Sequence, residues 1–201
     1  MAEDGGTPRP VVNVEGERVA LGPLRRDLLA DFHRWFNDLP IMHRQGATPQ
    51  PGTMEGVTSW YEGAATGAER ISFTVYERAT WRAIGMCSVM GVDHRNGTAM
   101  LAIVIGEADA RGRGYGTEAV RLLLDYAFTA LELHNVMLNV AEFNRGGIRA
   151  YEKAGFKECG RRRQSIVMGG RRWDEIAMDC LASEFTSPVL AASFVPDEPR
   201  P

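Results

Sequence analysis

The residues best placed to do chemistry in this 201-residue chain are Arg111-Gly-Arg-Gly-Tyr-Gly116. Before them runs Ala99-Met-Leu-Ala-Ile-Val-Ile105, apolar and rich in branched residues, which reads as a strand. After them, Thr117-Glu-Ala-Val-Arg-Leu-Leu-Leu-Asp-Tyr-Ala-Phe128 places apolar residues at helical spacing. A strand, a loop with alternating glycines and a helix point main-chain N–H groups and the positive end of a helix dipole at one spot. Such a spot binds phosphate. Glycine lets the chain approach an anion closely and adopt torsions that other residues avoid.

Three loops of this kind compete. A phosphate loop of the nucleotide hydrolases needs Lys and then Ser or Thr after its last Gly. Here Thr117 and Glu118 follow Gly116, which excludes it. Gly114, Gly116 and Ala119 satisfy the dinucleotide spacing, but that loop belongs after the first strand of its domain. Here it lies past the middle of the chain. The third pattern, Arg-x-x-Gly-x-Gly, is met by Arg111, Gly114 and Gly116. It resembles the pyrophosphate loop of the GCN5-related N-acetyltransferases (GNAT), which bind acetyl-coenzyme A. Downstream, the strand-like Val136-Met-Leu-Asn-Val140 leads into Asn144-Arg-Gly-Gly-Ile-Arg-Ala-Tyr-Glu-Lys-Ala-Gly-Phe156. This resembles the Asn…Tyr-Glu-Lys-x-Gly-Phe segment after the fifth strand of the same superfamily. The resemblance runs from about Ser72 to Leu181. Leu123-Leu-Asp-Tyr-Ala-Phe128 followed by Leu133-His134 is similar to the branch of ribosomal-protein N-terminal and spermidine acetyltransferases.

The resemblance implies an α/β (α+β) fold: one mixed, mainly antiparallel sheet flanked by helices, with a splayed central strand pair binding the acyl-CoA. It implies an acetyl-CoA-dependent N-acetyltransferase in which a primary amine attacks the thioester directly. It assigns main-chain contacts to Arg111, Gly112, Arg113, Gly114, Tyr115, Gly116 and Thr117, with added charge from Arg111 and Arg113 near the pyrophosphate. Ile103, Val104 and Ile105 would meet the pantetheine amides, and Asn144 the pantetheine arm or the Tyr loop. Asn144 also reads as a helix N-cap. Tyr151 falls where the family often has a general acid toward the coenzyme sulfur. A phenol with a reference pKa of about 10 is protonated at neutral pH and can donate.

The base is undefined. Relatives that carry a Glu early in the fourth strand differ from this chain, which has Ala99, Met100 and Leu101 there. Glu107 and Asp109 stand at the strand's end, as apt to be solvated as to act, and a water network is favoured. Asp31, Asp38, Glu55 and Glu62 could attract a cationic amine, although polar helix faces explain them as well. Arg161-Arg-Arg163 and Arg171-Arg172 read as a basic edge that could meet an acidic or carboxylate-bearing acceptor, although a solvated strand edge is favoured. Trp173 is left as either a pocket wall or a packed side chain. Other functions remain open: modification of a small antibiotic or metabolite, or a coenzyme-A-binding module with weak turnover.

Asp27–Asn37 and Thr53–Ala65 are predicted helices, with Thr53 as N-cap. Pro40–Gly52 reads as a loop. Val11–Leu24, Ile71–Tyr76 and Ala83–Val92 read as extended, with turns at Asn96-Gly97 and Gly169-Gly170. Arg145–Ala154 is a short helix with Gly155 as its C-cap. Residues 1–10 and 186–201 read as flexible tails around a domain spanning 11–185. With 44% hydrophobic and 24% charged residues, the chain suits one compact domain. A net charge of −3 gives no case for nucleic acid. No apolar run is long enough to span a bilayer. Cys87, Cys159 and Cys180 form no metal-ligand pattern, so no metal is expected. A reducing cytoplasmic setting fits. The expected partner is a small-molecule or peptide amine, and a homodimer is left open.

Overall fold

The computed structural model describes residues 9–46, 50–67 and 70–195. Eight strands form one sheet in the order β1-β2-β3-β4-β5-β6-β8-β7. They are β1 (Val14–Glu15), β2 (Val19–Pro23), β3 (Arg70–Glu77), β4 (Ala83–Asp93), β5 (Thr98–Ile105), β6 (Asn135–Ala141), β7 (Lys157–Met168) and β8 (Arg171–Leu181). All neighbours are antiparallel except β5 and β6. The parallel pair needs a crossover, supplied by helix α4 (Tyr115–Asp125). The expected mixed, mainly antiparallel sheet is therefore present.

The period of two along β4 and β5 sorts side chains onto two faces. Cys87, Val89, Leu101, Ile103 and Ile105 pack in the cluster that contains α4 and the end of α5 (Arg145–Ala154). Met86 and Val104 pack in a second cluster with α1 (Leu29–Phe36) and α3 (Met54–Thr66). Phe32 and Trp35 are nearly inaccessible there, and Phe32, Phe36 and Trp60 meet edge to face. Thr53 caps α3 by accepting from Gly56 N–H at 3.1 Å, as its position implied. Gly169 and Gly170 both have positive φ, the torsions a tight turn between β7 and β8 requires.

Three expectations change. The predicted loop 40–52 contains a further helix, α2 (Leu39–Arg44). Asp38 initiates it by accepting from Ile41 N–H at 3.2 Å. Pro40 lies in its first turn, where a missing N–H is harmless, so the proline that suggested a loop is compatible with a helix start. The C-terminal tail is docked at least through Leu190–Ala192. Asp125, fully buried, accepts from the N–H groups of Val189 (3.0 Å) and Leu190 (2.9 Å). At the other end, Arg9 bridges Glu15 and lies over the Trp81 ring, and Pro10 is buried. Residues 1–8 and 196–201, the rest of the expected tails, fall outside the described residues.

Candidate active site

β5 and β6 pair only over their first three residues, Thr98↔Asn135, Ala99↔Val136 and Met100↔Met137. Beyond Met100 the strands part. β5 remains held by β4 as far as Ile105, and β6 by β8 as far as Ala141. The β5 edge over Leu101–Ile105 thus faces a gap between two strands whose C-terminal ends both lead into helices. Ile103 and Ile105 lean toward the α4 side of the sheet and Val104 toward the α1 side.

The glycine loop sits at the end of β5. Gly112 and Gly114 have φ of +74° and +87°, left-handed torsions that glycine adopts without strain. Among the described residues, the N–H groups from Gly112 through Thr117 donate to no protein acceptor. Three of these open the α4 helix, whose first-turn donors have no intrahelical partner. Six consecutive free donors and a helix dipole make a cradle for an oxyanion. A Cβ on Gly112 would meet nothing within 4 Å, so the cradle is open to a ligand.

Side chains of the loop do other work. The Arg111 guanidinium is not free for a phosphate, contrary to the reading of its charge. It donates to the carbonyls of Ile105 (3.0 Å) and Gly106 (2.5 Å) and bridges Asp38 at 2.9 Å. Tyr115 is buried and donates its hydroxyl to Glu77 at 2.6 Å. The guanidiniums of Arg18 and Arg113 lie over its ring, 4.7 and 5.0 Å from the centroid. Arg113 also approaches Glu77 at 3.5 Å, so part of its charge is spent there. Hydrogen bonds from Tyr115 and Thr80 hold the Glu77 carboxyl below its ordinary pKa, against the opposing effect of burial. Arg18 had no distinguishing spacing in the sequence. It donates to the Arg113 carbonyl and, with Glu17, Arg78, Ala79 and Tyr115, lines a recess of about 310 Å³ beside the loop.

On the β6 side, Asn144 caps α5 by accepting from Gly147 N–H at 3.0 Å and donates to the Arg44 carbonyl at 3.1 Å. The capping reading of this residue is thus realised. Its second bond links α5 to α2, and no sequence spacing indicated that. Tyr151, on α5, stacks edge to face on Phe156 with centroids 6.0 Å apart. Its side chain is half-buried among apolar neighbours, and burial pushes the phenol up to about 12. No described residue pairs with its hydroxyl.

The carboxylates expected at the site are mostly committed. Glu107 is not solvated: Oε1 accepts from Arg34 at 2.6 Å and from the Trp35 indole at 2.9 Å. Burial works to raise its pKa, but these hydrogen bonds prevail and keep it below the ordinary value. Asp109 is exposed and paired with Arg82 at 2.7 Å. Asp31, Asp38 and Glu62 are bridged to Arg34, Arg111 and Arg26, leaving Glu55 as the one acid of that group without a bridge among the described residues. Trp173 packs against Phe143 and donates to the Met168 carbonyl, so its indole braces the hairpin. Among the described residues, no three His, Cys, Asp or Glu side chains gather as a metal group. No helix among them is long and apolar enough to cross a membrane.

Residues 18–157 match the family model described as the acetyltransferase (GNAT) domain. A spermidine N(1)-acetyltransferase of Vibrio cholerae is 31% identical over 168 residues, covering 84% of this chain and 95% of that protein. The spermidine N(1)-acetyltransferase of Escherichia coli K12 is 26% identical over 160 residues, 80% of this chain and 84% of the other. A crystal structure of the Vibrio cholerae spermidine N-acetyltransferase with CoA and spermine superposes with a TM-score of 0.76 at 26% identity. That match covers 83% of this chain and 97% of the other. A domain model over most of the chain, and a relative aligned along nearly all of its own length, show that this protein belongs to the GNAT acetyltransferase family and is an acetyl-CoA-dependent N-acetyltransferase.

Proposed function

We propose that the acceptor is a small polyamine-like primary amine, and that acetyl-CoA sits with its pyrophosphate on the Gly112–Thr117 cradle and its pantetheine arm between β5 and β6. The observation that carries the coenzyme placement is the run of free N–H donors at the start of α4. The gap beside Ile103–Ile105 supports it, since an extended arm could pair there with a strand edge that has lost its neighbour. The acceptor class rests on the likeness to spermidine acetyltransferases. The acids near α1 and α2 do not add to it, because most are already bridged to arginines.

In this reading the neutral amine attacks the thioester carbonyl carbon and a C–N bond forms. The tetrahedral oxyanion is met by a preorganised donor. Collapse breaks the C–S bond, and the Tyr151 phenol donates toward the departing sulfur. The ammonium proton passes to water. An alkylamine with a pKa of about 10.4 is neutral in roughly one molecule in 10³ at pH 7, so its deprotonation is part of the barrier. Glu107 is a poor base, because hydrogen bonds from Arg34 and Trp35 lower its affinity for a proton against the opposing effect of burial. A water chain serves instead.

Thiol release from acetyl-CoA should be measured with spermidine, spermine, an aminoglycoside, free amino acids and an N-terminal peptide. Turnover on the polyamines at least tenfold above the rest supports the acceptor class. Turnover confined to the peptide or the aminoglycoside overturns it and leaves the coenzyme placement standing.

A further inference from the structure

Helix α2 is fastened at both ends to the two loops that flank the splayed strands. At its start, Asp38 uses Oδ1 to cap the helix and Oδ2 to accept from Arg111 Nη2. The same guanidinium grips the carbonyls of Ile105, the last residue of β5, and Gly106 just after it. At its end, the Arg44 carbonyl accepts from Asn144, which caps α5 after β6. The helix therefore runs from the end of one parted strand to the end of the other. Beyond α2, Gly46 rests against β7: a Cβ there would lie 3.2 Å from Ile166 Cδ1. The far end of the strap thus meets the hairpin on the other side of the gap.

We propose that Arg111 is a positioning residue that ties α2 to the glycine loop, so that coenzyme seated on the loop stiffens α2. This rests on the reading of that loop as the coenzyme site. Arg111 opens the loop through its main chain and holds Asp38 through its side chain. An anion on the Gly112–Thr117 donors fixes the loop, and the guanidinium passes that restraint to the start of α2. By linkage, anything that orders α2 favours coenzyme to the same degree.

The test is hydrogen–deuterium exchange on the full chain, with and without saturating acetyl-CoA, for wild type and Asp38→Asn. Asn caps helices as well as Asp does, so α2 keeps its start. Its amide donors then face the donors of Arg111, and the tie is cut. In wild type, coenzyme should slow exchange in peptides covering 111–117 and also in 39–44, the latter by about fivefold or more. In Asp38→Asn the loop should slow as before, and 39–44 by less than about twofold. If that variant fails to fold, Asp38→Ser, another capping residue without charge, serves in its place. No slowing of the loop in wild type would refute the coenzyme site itself. A slowed loop with α2 unchanged, accelerated, or slowed equally in the variant would overturn the role of Arg111.

Discussion

Replacing Tyr151 by Phe separates catalysis from folding. The ring stays against Phe156, and no described residue loses a hydrogen bond. Removing an unpaired hydroxyl from apolar surroundings is close to neutral, so stability should move by no more than about 0.5 kcal/mol. For a chain of this size that is roughly 1–2 °C in Tm. Turnover should fall by about 10²–10⁴ if the phenol is the general acid, or about 2.7–5.4 kcal/mol in the barrier. With its pKa pushed up to about 12, the phenol stays protonated through pH 10. Ionisation of Tyr151 therefore produces no fall in rate below that pH. The rate in both proteins should rise about tenfold per unit while the amine is mostly protonated. Full proton transfer to a thiolate of pKa near 8.5 would be uphill by about 3.5 units, or about 5 kcal/mol. The phenol must then act as a hydrogen-bond donor to the sulfur as its charge develops. The assay is single-turnover thiol release across pH 6–10, beside calorimetric Kd values for acetyl-CoA. Near-normal turnover with chemistry limiting, or a loss of coenzyme affinity equal to the loss in rate, would refute the assignment.

Gly114→Val should weaken acetyl-CoA binding at least tenfold, about 1.4 kcal/mol, by calorimetry on folded protein. Left-handed torsion at residue 114 and a Cβ 3.2 Å from Arg18 Nη1 should also cost about 1–3 kcal/mol of stability; unchanged affinity would displace the coenzyme from this loop. Glu107→Gln should lower turnover less than about tenfold, whereas a loss of about 10³ with intact coenzyme affinity would identify it as a discrete base. Glu77→Gln should cost about 1–3 kcal/mol at pH 7, since it weakens buried bonds to Tyr115 and Thr80. Glu77 has a depressed folded pKa, so its contribution is complete above the unfolded value near 4.5 and fades as pH falls through the folded one. Urea midpoints of wild type and variant should therefore converge below pH 4.5, and a constant gap down to pH 3 would contradict the charged-state account.

Much of the scaffold was legible in the chain itself because it depends on local physics. Continuous branched runs specified β5 and β6, alternating glycines the loop, and Asn144 and Gly155 the two ends of α5. Each of these follows from torsional preference, periodicity or a cap within a few residues. Helix α2 was missed because the three prolines of segment 40–52 outweighed the single capping residue Asp38. The docked C-terminal segment was missed because its anchor, Asp125, lies 64 residues away from Val189. Whether a charge is free could be read only in three dimensions. Arg111 read as added charge near a pyrophosphate, yet its guanidinium is taken by Asp38 and the carbonyls of Ile105 and Gly106. Glu107 read as equally apt to be solvated or to act, and Arg34 and Trp35 hold it. The sequence by itself determined the fold, the glycine cradle and the family, since all three rest on short-range patterns. Only the tertiary structure decided which charged side chains remain available to a ligand, because pairing depends on distances between residues far apart in the chain.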